Sequence, residues 1–201
     1  MTTARDAGGP RPLVLASASP RRQEILRLAG IEFEVVVSTA EADLDARGRP
    51  TAVALAGARA KAADVAARLG DRLVLGADTV VAVGRHVLGK PADAAEARQM
   101  LARLSGRSHQ VHTAFALARG PHGAVVAEGC ETSTVTFHAL APSTVAAYVA
   151  SGDPLDKAGA YGVQSAGGAL VAEVLGSYLN VAGLPLARLL QTLAELDGHL
   201  G

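Results

Sequence analysis

The chain has 201 residues, no net charge, and 49% hydrophobic against 19% charged residues, which is the balance of a globular domain, or two small lobes, long enough to bury a core. A neutral chain has no global field for gripping nucleic acid or an acidic membrane, so any anion it binds must be held by a local cluster. Its single cysteine, Cys130, excludes an internal disulfide and a multi-cysteine metal site.

Residues 1 to 11 read as a disordered tail, and 12 to 201 as a single domain. The opening "MTTARDAGGPRP" lacks the apolar core of a signal peptide, and no apolar run approaches membrane-spanning length, so a soluble cytoplasmic protein is the expectation. Leu13 to Ala16 reads as a buried strand. Ser19 and Pro20 then supply an N-cap and a first helical residue. Ile25, Leu26 and Ala29 share a helical face, and Gly30 is a natural stop. Phe33 to Val37 reads as a second strand.

The alanine-rich stretch from Pro50 to Leu69 reads as a helix closed by Gly70. "RLVLGA", Arg72 to Ala77, reads as a short buried strand, and Val80 to Leu88 as a hairpin turning at Gly84 and Arg85. Ala92 to Leu104 is a helix. His109 to Ala118 and Val125 to Phe137 are long strands joined by the turn "GPHG". Pro142 to Ala150 is a helix, and "SGDPLDKAGAYGVQSAGG" a glycine-rich loop. Ala169 to Leu175 fits strand or helix equally. A last helix spans Leu184 to Leu196. Hairpins and helical crossovers together predict an α/β fold: a mixed twisted sheet with flanking helices.

Several constellations carry chemistry. Ser17, Ser19, Arg21 and Arg22 surround a helix N-terminus, where free N–H groups and the helix dipole favour an anion; hydroxyls and guanidiniums there make a phosphate cradle. Asp78 and Thr79 follow an apolar strand, and ligands bind at the carboxyl ends of strands in α/β proteins. Asp78 can hold a divalent cation, act as a general base, or satisfy turn amides. "GRHVLGKP" has phosphate-loop spacing, but Pro91 stands where a magnesium-binding hydroxyl belongs, so only Lys90 is kept as a phosphate contact. The loop carrying Asp153, Asp156, Lys157 and Gln164 can approach a ligand closely, and the Gln164 amide suits a base edge. Sixteen arginines stand against Lys61, Lys90 and Lys157 alone, which draws attention to the neighbours of those three lysines. His109 and His112 point to opposite faces of a strand, so no zinc site is assigned.

"LASASPRRQEIL", "LGADTVV", "LGKP", "DPLDKAGAYGVQ" and "GSYLNVAGLPL", in that order, closely resemble the Maf family of nucleoside triphosphate pyrophosphatases over about residues 12 to 196. The resemblance implies two lobes around a deep cleft (a Maf/ITPase-like fold). It also implies hydrolysis of the α–β phosphoanhydride to a nucleoside monophosphate and pyrophosphate with a divalent cation, Mg²⁺ or Mn²⁺. By resemblance Asp78 is the proton acceptor, Arg21, Thr79 and Gln164 govern substrate choice, and Ser17, Arg22 and Lys90 line the phosphate site. "DKAGAYG" followed by Gln resembles the branch acting on dTTP and UTP. The alternatives are the same reaction on 7-methyl-GTP or ITP, or a non-catalytic nucleotide-binding regulator of cell division. A homodimer is a further implication.

Two segments depart from the family pattern. Where an acidic pair is usual, Glu41 is followed by Ala42, with Asp43 next; Glu41 and Asp78 are the candidate metal ligands. Where a helix lysine is usual, Arg59 aligns, and Lys61 is expected to point elsewhere. Charge balance against a triphosphate and its leaving pyrophosphate assigns Arg21, Arg22, Arg59, Lys90 and Lys157 as its counter-charges.

Overall fold

The computed structural model describes residues 11–40 and 48–198; the tail expected at the N-terminus lies, but for Arg11, outside them. Among the described residues a seven-stranded mixed sheet runs in the order β2-β1-β3-β5-β6-β7, with β4 also paired to β3. The wholly apolar β1 (Leu13–Leu15) is buried between two parallel neighbours, β2 (Phe33–Val35) and β3 (Val74–Val83). Helix α1 (Pro20–Leu28) starts as expected: Ser19 is extended and its hydroxyl accepts from Arg22 N at 3.5 Å. Gly30, at φ +69°, ends it in the left-handed conformation that favours glycine.

Helix α2 (Pro50–Leu69) has the expected bounds. Its alanines do more than favour helix. A Cβ on Gly76 of β3 would lie 2.3 Å from the Ala58 carbonyl oxygen, so small residues on both elements allow a close approach.

Strand β3 corrects the sequence reading. It is one ten-residue strand, not two segments broken after Ala77. Asp78 and Thr79 lie within it, paired with Ala114 and Thr113 of β5 (Ser108–Arg119). The polar pair marks no turn, because β5 takes up the backbone groups on one edge, while the side chains point to opposite faces, Asp78 toward α2 and Thr79 away from it. Strand β1 is in register with β3 only at Val74 and Leu75, and β4 (His86–Leu88) only from Val81 to Val83. Residues 76–80 therefore lack a strand neighbour on that edge among the described residues.

Helix α3 (Ala94–Leu104) begins two residues later than expected, because Asp93 caps it, accepting from Ala95 N and Glu96 N at 2.8 Å. Strands β5 and β6 (Ala124–Phe137) form the long hairpin, and α4 spans Pro142–Ala150. The undecided segment is a strand, β7 (Val171–Leu175), antiparallel to β6. A short helix not expected from the sequence, α5 (Tyr178–Ala182), is capped by Ser177 and precedes α6 (Leu186–Gly198). No described helix is long and apolar enough to cross a membrane.

Helix α2 covers one face of the sheet, packing on Val74, Val80, Ala114, Ala116 and Ala118. The other face carries two apolar regions. One gathers α1 and the start of α6 on Leu75, Ala77, Phe115 and Leu117. The second gathers α3 and α4 on Val81, Val111, Val135 and Phe137. Thr79 and Thr113, cross-strand partners, fall between these regions, each one pleat from both. The two lobes meet at this polar waist.

Candidate active site

A cleft of about 430 Å³ opens at the waist. Its first wall is the mouth of α1, contributing Ser17, Ser19, Arg21 and Arg22. Arg22 is fixed by three hydrogen bonds: Nε donates to Gly183 O (2.9 Å), Nη1 to Ser17 Oγ (3.0 Å) and Nη2 to Thr79 Oγ1 (3.3 Å). A guanidinium has five N–H groups, so two remain for a ligand. Burial draws the Arg22 pKa down; the Asp78 charge opposes that shift and Arg21 adds to it. Ser17 Oγ also accepts from Ser19 N at 3.3 Å.

Asp78 and Lys61 both line the cleft. Lys61 Nζ donates to Asp78 Oδ1 at 2.5 Å, with both side chains partly exposed. The carboxylate lies against Gly57, where a Cβ would come within 2.4 Å of Oδ2. Gly57 and Lys61 are four apart on α2 and share a face. That corrects the expectation that Lys61 points away. Arg59 does so instead: its guanidinium forms a bidentate pair with Glu128 on β6 and does not line the cleft.

The third wall comes from the glycine-rich loop, which is a series of short 3-10 turns over Asp153–Asp156, Ala158–Ala160 and Ala166–Leu170. Gly159 (φ +71°) and Ala160 (φ +61°) are left-handed, and a Cβ on Gly159 would press on Val81 at 2.9 Å. The buried Lys157 donates to Asp153 O (2.7 Å) and Asp156 Oδ1 (2.6 Å), and pairs with Asp153 Oδ1 at 3.0 Å. Burial would raise the pKa of Asp156, but the Lys157 hydrogen bond and the charges of Lys157 and Arg21 outweigh it and leave it below its ordinary value. Asp153 also accepts from Tyr148 and Ser165 hydroxyls. Tyr161 closes this side, its hydroxyl 2.7 Å from Nε2 of the buried His109.

Of the residues singled out in the sequence, Ser17, Ser19, Arg21, Arg22, Asp78, Thr79, Lys90 and Lys157 line this one cleft. Gln164 does not: it is exposed, while its neighbour Val163 lines the cleft. Glu41 and Asp43 lie outside the described residues. Lys61 is the functional candidate that sequence reasoning placed wrongly; its i, i+4 spacing from Gly57 is the signal that marks it. Among the described residues no group of three or more His, Cys, Asp or Glu side chains is placed to hold a metal. Asp78 offers one carboxylate to the cleft. This matches a hard cation such as Mg²⁺, which is held by one or two carboxylates together with substrate phosphates.

Residues 12–196 match the family model for Maf-like proteins. The chain is 43% identical over 187 residues to the dTTP/UTP pyrophosphatase of Bacillus cereus (strain AH820), covering 93% of this chain and 96% of that one. A dTTP/UTP pyrophosphatase of Bacillus anthracis is also 43% identical with the same coverage, and that of Bacillus cytotoxicus is 44% identical over 187 residues, again with 93% and 96% coverage.

Proposed function

The chain belongs to the Maf family, and from that premise we propose that it hydrolyses the α–β phosphoanhydride of dTTP and UTP to the nucleoside monophosphate and pyrophosphate. One observation carries the reading: a single cleft gathers five cations, Arg21, Arg22, Lys61, Lys90 and Lys157, around Asp78, with Asp156 at its wall paired to Lys157. A site that only bound phosphates would be weakened by the Asp78 carboxylate; a hydrolase needs it.

Each residue then has a task. Lys61 holds one oxygen of Asp78, and the other takes the proton of the attacking water. Arg22, clamped on three sides, presents its two remaining N–H groups to phosphate oxygens and offsets the charge that develops on the leaving pyrophosphate. The exposed Lys90 adds a mobile charge at the rim. Lys157 is neutralised by Asp153 and Asp156, so its task is to shape the loop wall rather than to grip phosphate alone. A divalent cation would be held by Asp78 with the substrate phosphates, and supplies charge stabilisation to the reacting phosphoryl group when bound.

The test is hydrolysis of a nucleotide panel with Mg²⁺ or Mn²⁺, resolving monophosphate, pyrophosphate and orthophosphate. UTP and dTTP are expected to give UMP or dTMP plus pyrophosphate with the highest kcat/KM. Orthophosphate as the direct product would overturn the reading.

A further inference from the structure

The waist between the two lobes holds a chain of hydrogen bonds whose direction can be read by counting protons. A hydroxyl has one hydrogen and two lone pairs. Thr113 Oγ1 lies 2.7 Å from the Asn180 carbonyl oxygen, which can only accept, so Thr113 has given its hydrogen away. Thr79 Oγ1 lies 3.0 Å from Thr113 Oγ1. Thr113 having no hydrogen left, Thr79 donates here. Arg22 Nη2 donates to Thr79 Oγ1 at 3.3 Å. The chain therefore runs from Arg22 to Thr79 to Thr113 to Asn180, each bond polarising the next. Thr79 is left with one lone pair and no hydrogen, and it lines the cleft. Thr113 does not line the cleft and is fully buried.

Asn180 makes the arrangement rigid. It is fully buried, accepts from Thr113 N through Oδ1 (3.2 Å), and donates through Nδ2 to Val111 O (3.1 Å) and Ser133 Oγ (2.9 Å). Its carbonyl cannot turn away from Thr113 without breaking these bonds.

We propose that Thr113 is a positioning residue that locks Thr79 as a hydrogen-bond acceptor, so that the cleft selects a nucleobase presenting an N–H donor, the imide N3–H of uracil or thymine, over cytosine, whose N3 is an acceptor. The inference rests on the nucleotide reading above. A fully ionised triphosphate has no hydrogen to offer Thr79. The base imide and the sugar hydroxyls do, and nucleotides sharing one sugar separate these two sources.

The experiment is equilibrium binding of UMP, CMP and N3-methyl-UMP to wild type, Thr113→Val and Thr113→Ser. It needs no turnover. Valine keeps the shape of threonine, and the Asn180 carbonyl keeps its bond from Gly183 N at 3.1 Å. In Thr113→Val the Thr79 hydrogen is released and can turn to the N3 of cytosine. The wild-type UMP to CMP affinity ratio is expected to fall by about tenfold in Thr113→Val, the discrimination of one hydrogen bond, and to persist in Thr113→Ser. N3-methyl-UMP is expected to bind wild type no better than CMP, a result that depends on no variant folding. Thr113→Val weakening UMP and CMP by one factor would overturn the proposal. Equal binding of UMP and CMP to wild type would also overturn it, leaving a sugar hydroxyl or a water as the donor to Thr79. No binding of any nucleotide to wild type would remove the nucleotide reading itself, an outcome distinct from the other two.

Discussion

Lys61 Nζ stands 2.5 Å from Asp78 Oδ1, tying the middle of α2 to the middle of β3 at the cleft. Asp78→Asn is expected to lower kcat for UTP by about 10²–10⁴-fold, the usual contribution of a general base, while UMP binding persists. Lys61→Ala is expected to lower kcat as well, whereas Arg59→Ala, which breaks only the pair with Glu128, leaves kcat/KM unchanged. Steady-state kinetics on the three variants check this, and equal losses in the Lys61 and Arg59 variants would contradict the placement of Lys61.

The two adjacent arginines have different surroundings. Arg22 is held by Gly183, Ser17 and Thr79, while Arg21 makes no side-chain hydrogen bond among the described residues. Arg22→Ala is expected to weaken all nucleotides alike and to cost about 2 kcal/mol of stability in a denaturant titration. Arg21→Ala is expected to change the ranking of nucleotides and to shift stability by less than about 0.5 kcal/mol. Identical kinetic effects from the two would show that they share one task.

Gly57 is the space that the Asp78 side chain occupies. A methyl group there would sit 2.4 Å from Oδ2 and 2.7 Å from Cγ, so Gly57→Ala must push the carboxylate off Lys61. Misplacing a reacting group by about 1 Å costs on the order of 100-fold in rate, and the loss should appear in kcat. A Gly57→Ala enzyme with full kcat and native melting would show that the carboxylate can move freely.

His109 lies behind the cleft wall, and burial pushes its pKa down to about 4. The unfolded chain, with an ordinary histidine, therefore binds a proton that the folded chain refuses between about pH 6.5 and 4. Stability falls as pH drops through that window, by roughly 3 kcal/mol in all. His109→Gln is expected to lack this component when chemical denaturation is followed from pH 7 to 4. His112, pushed the same way by burial, is present in both proteins and cancels from the difference.

Most elements were legible because their signals are local. Ser19-Pro20 starts α1, Pro50 and Gly70 bound α2, and the turn at Gly120–Gly123 joins β5 and β6, each a matter of adjacent residues. What was missed depends on distant contacts. Asp78 and Thr79 look like a strand end until β5 is seen beside them. Lys61 looks misdirected until α2 is laid on β3 with Gly57 facing the carboxylate. The helix Tyr178–Ala182 is too short for a periodic signal, and its Asn180 is fixed by Thr113, Val111 and Ser133, which lie 47 or more residues away. Gln164 matches a motif in the sequence, yet the turn that follows Gly162 leaves it exposed.

The Arg22 bond to Gly183 spans 161 positions of the chain. During synthesis β1 and α1 leave the ribosome well before the carbonyl that orients Arg22, which follows 161 residues later. A chain stopped short of Gly183 also lacks Asn180 or the turn that follows it, and with them the order of the waist. The cleft is thereby coupled to the translation of a distant segment: a product truncated before Gly183 has no carbonyl to orient the Arg22 guanidinium.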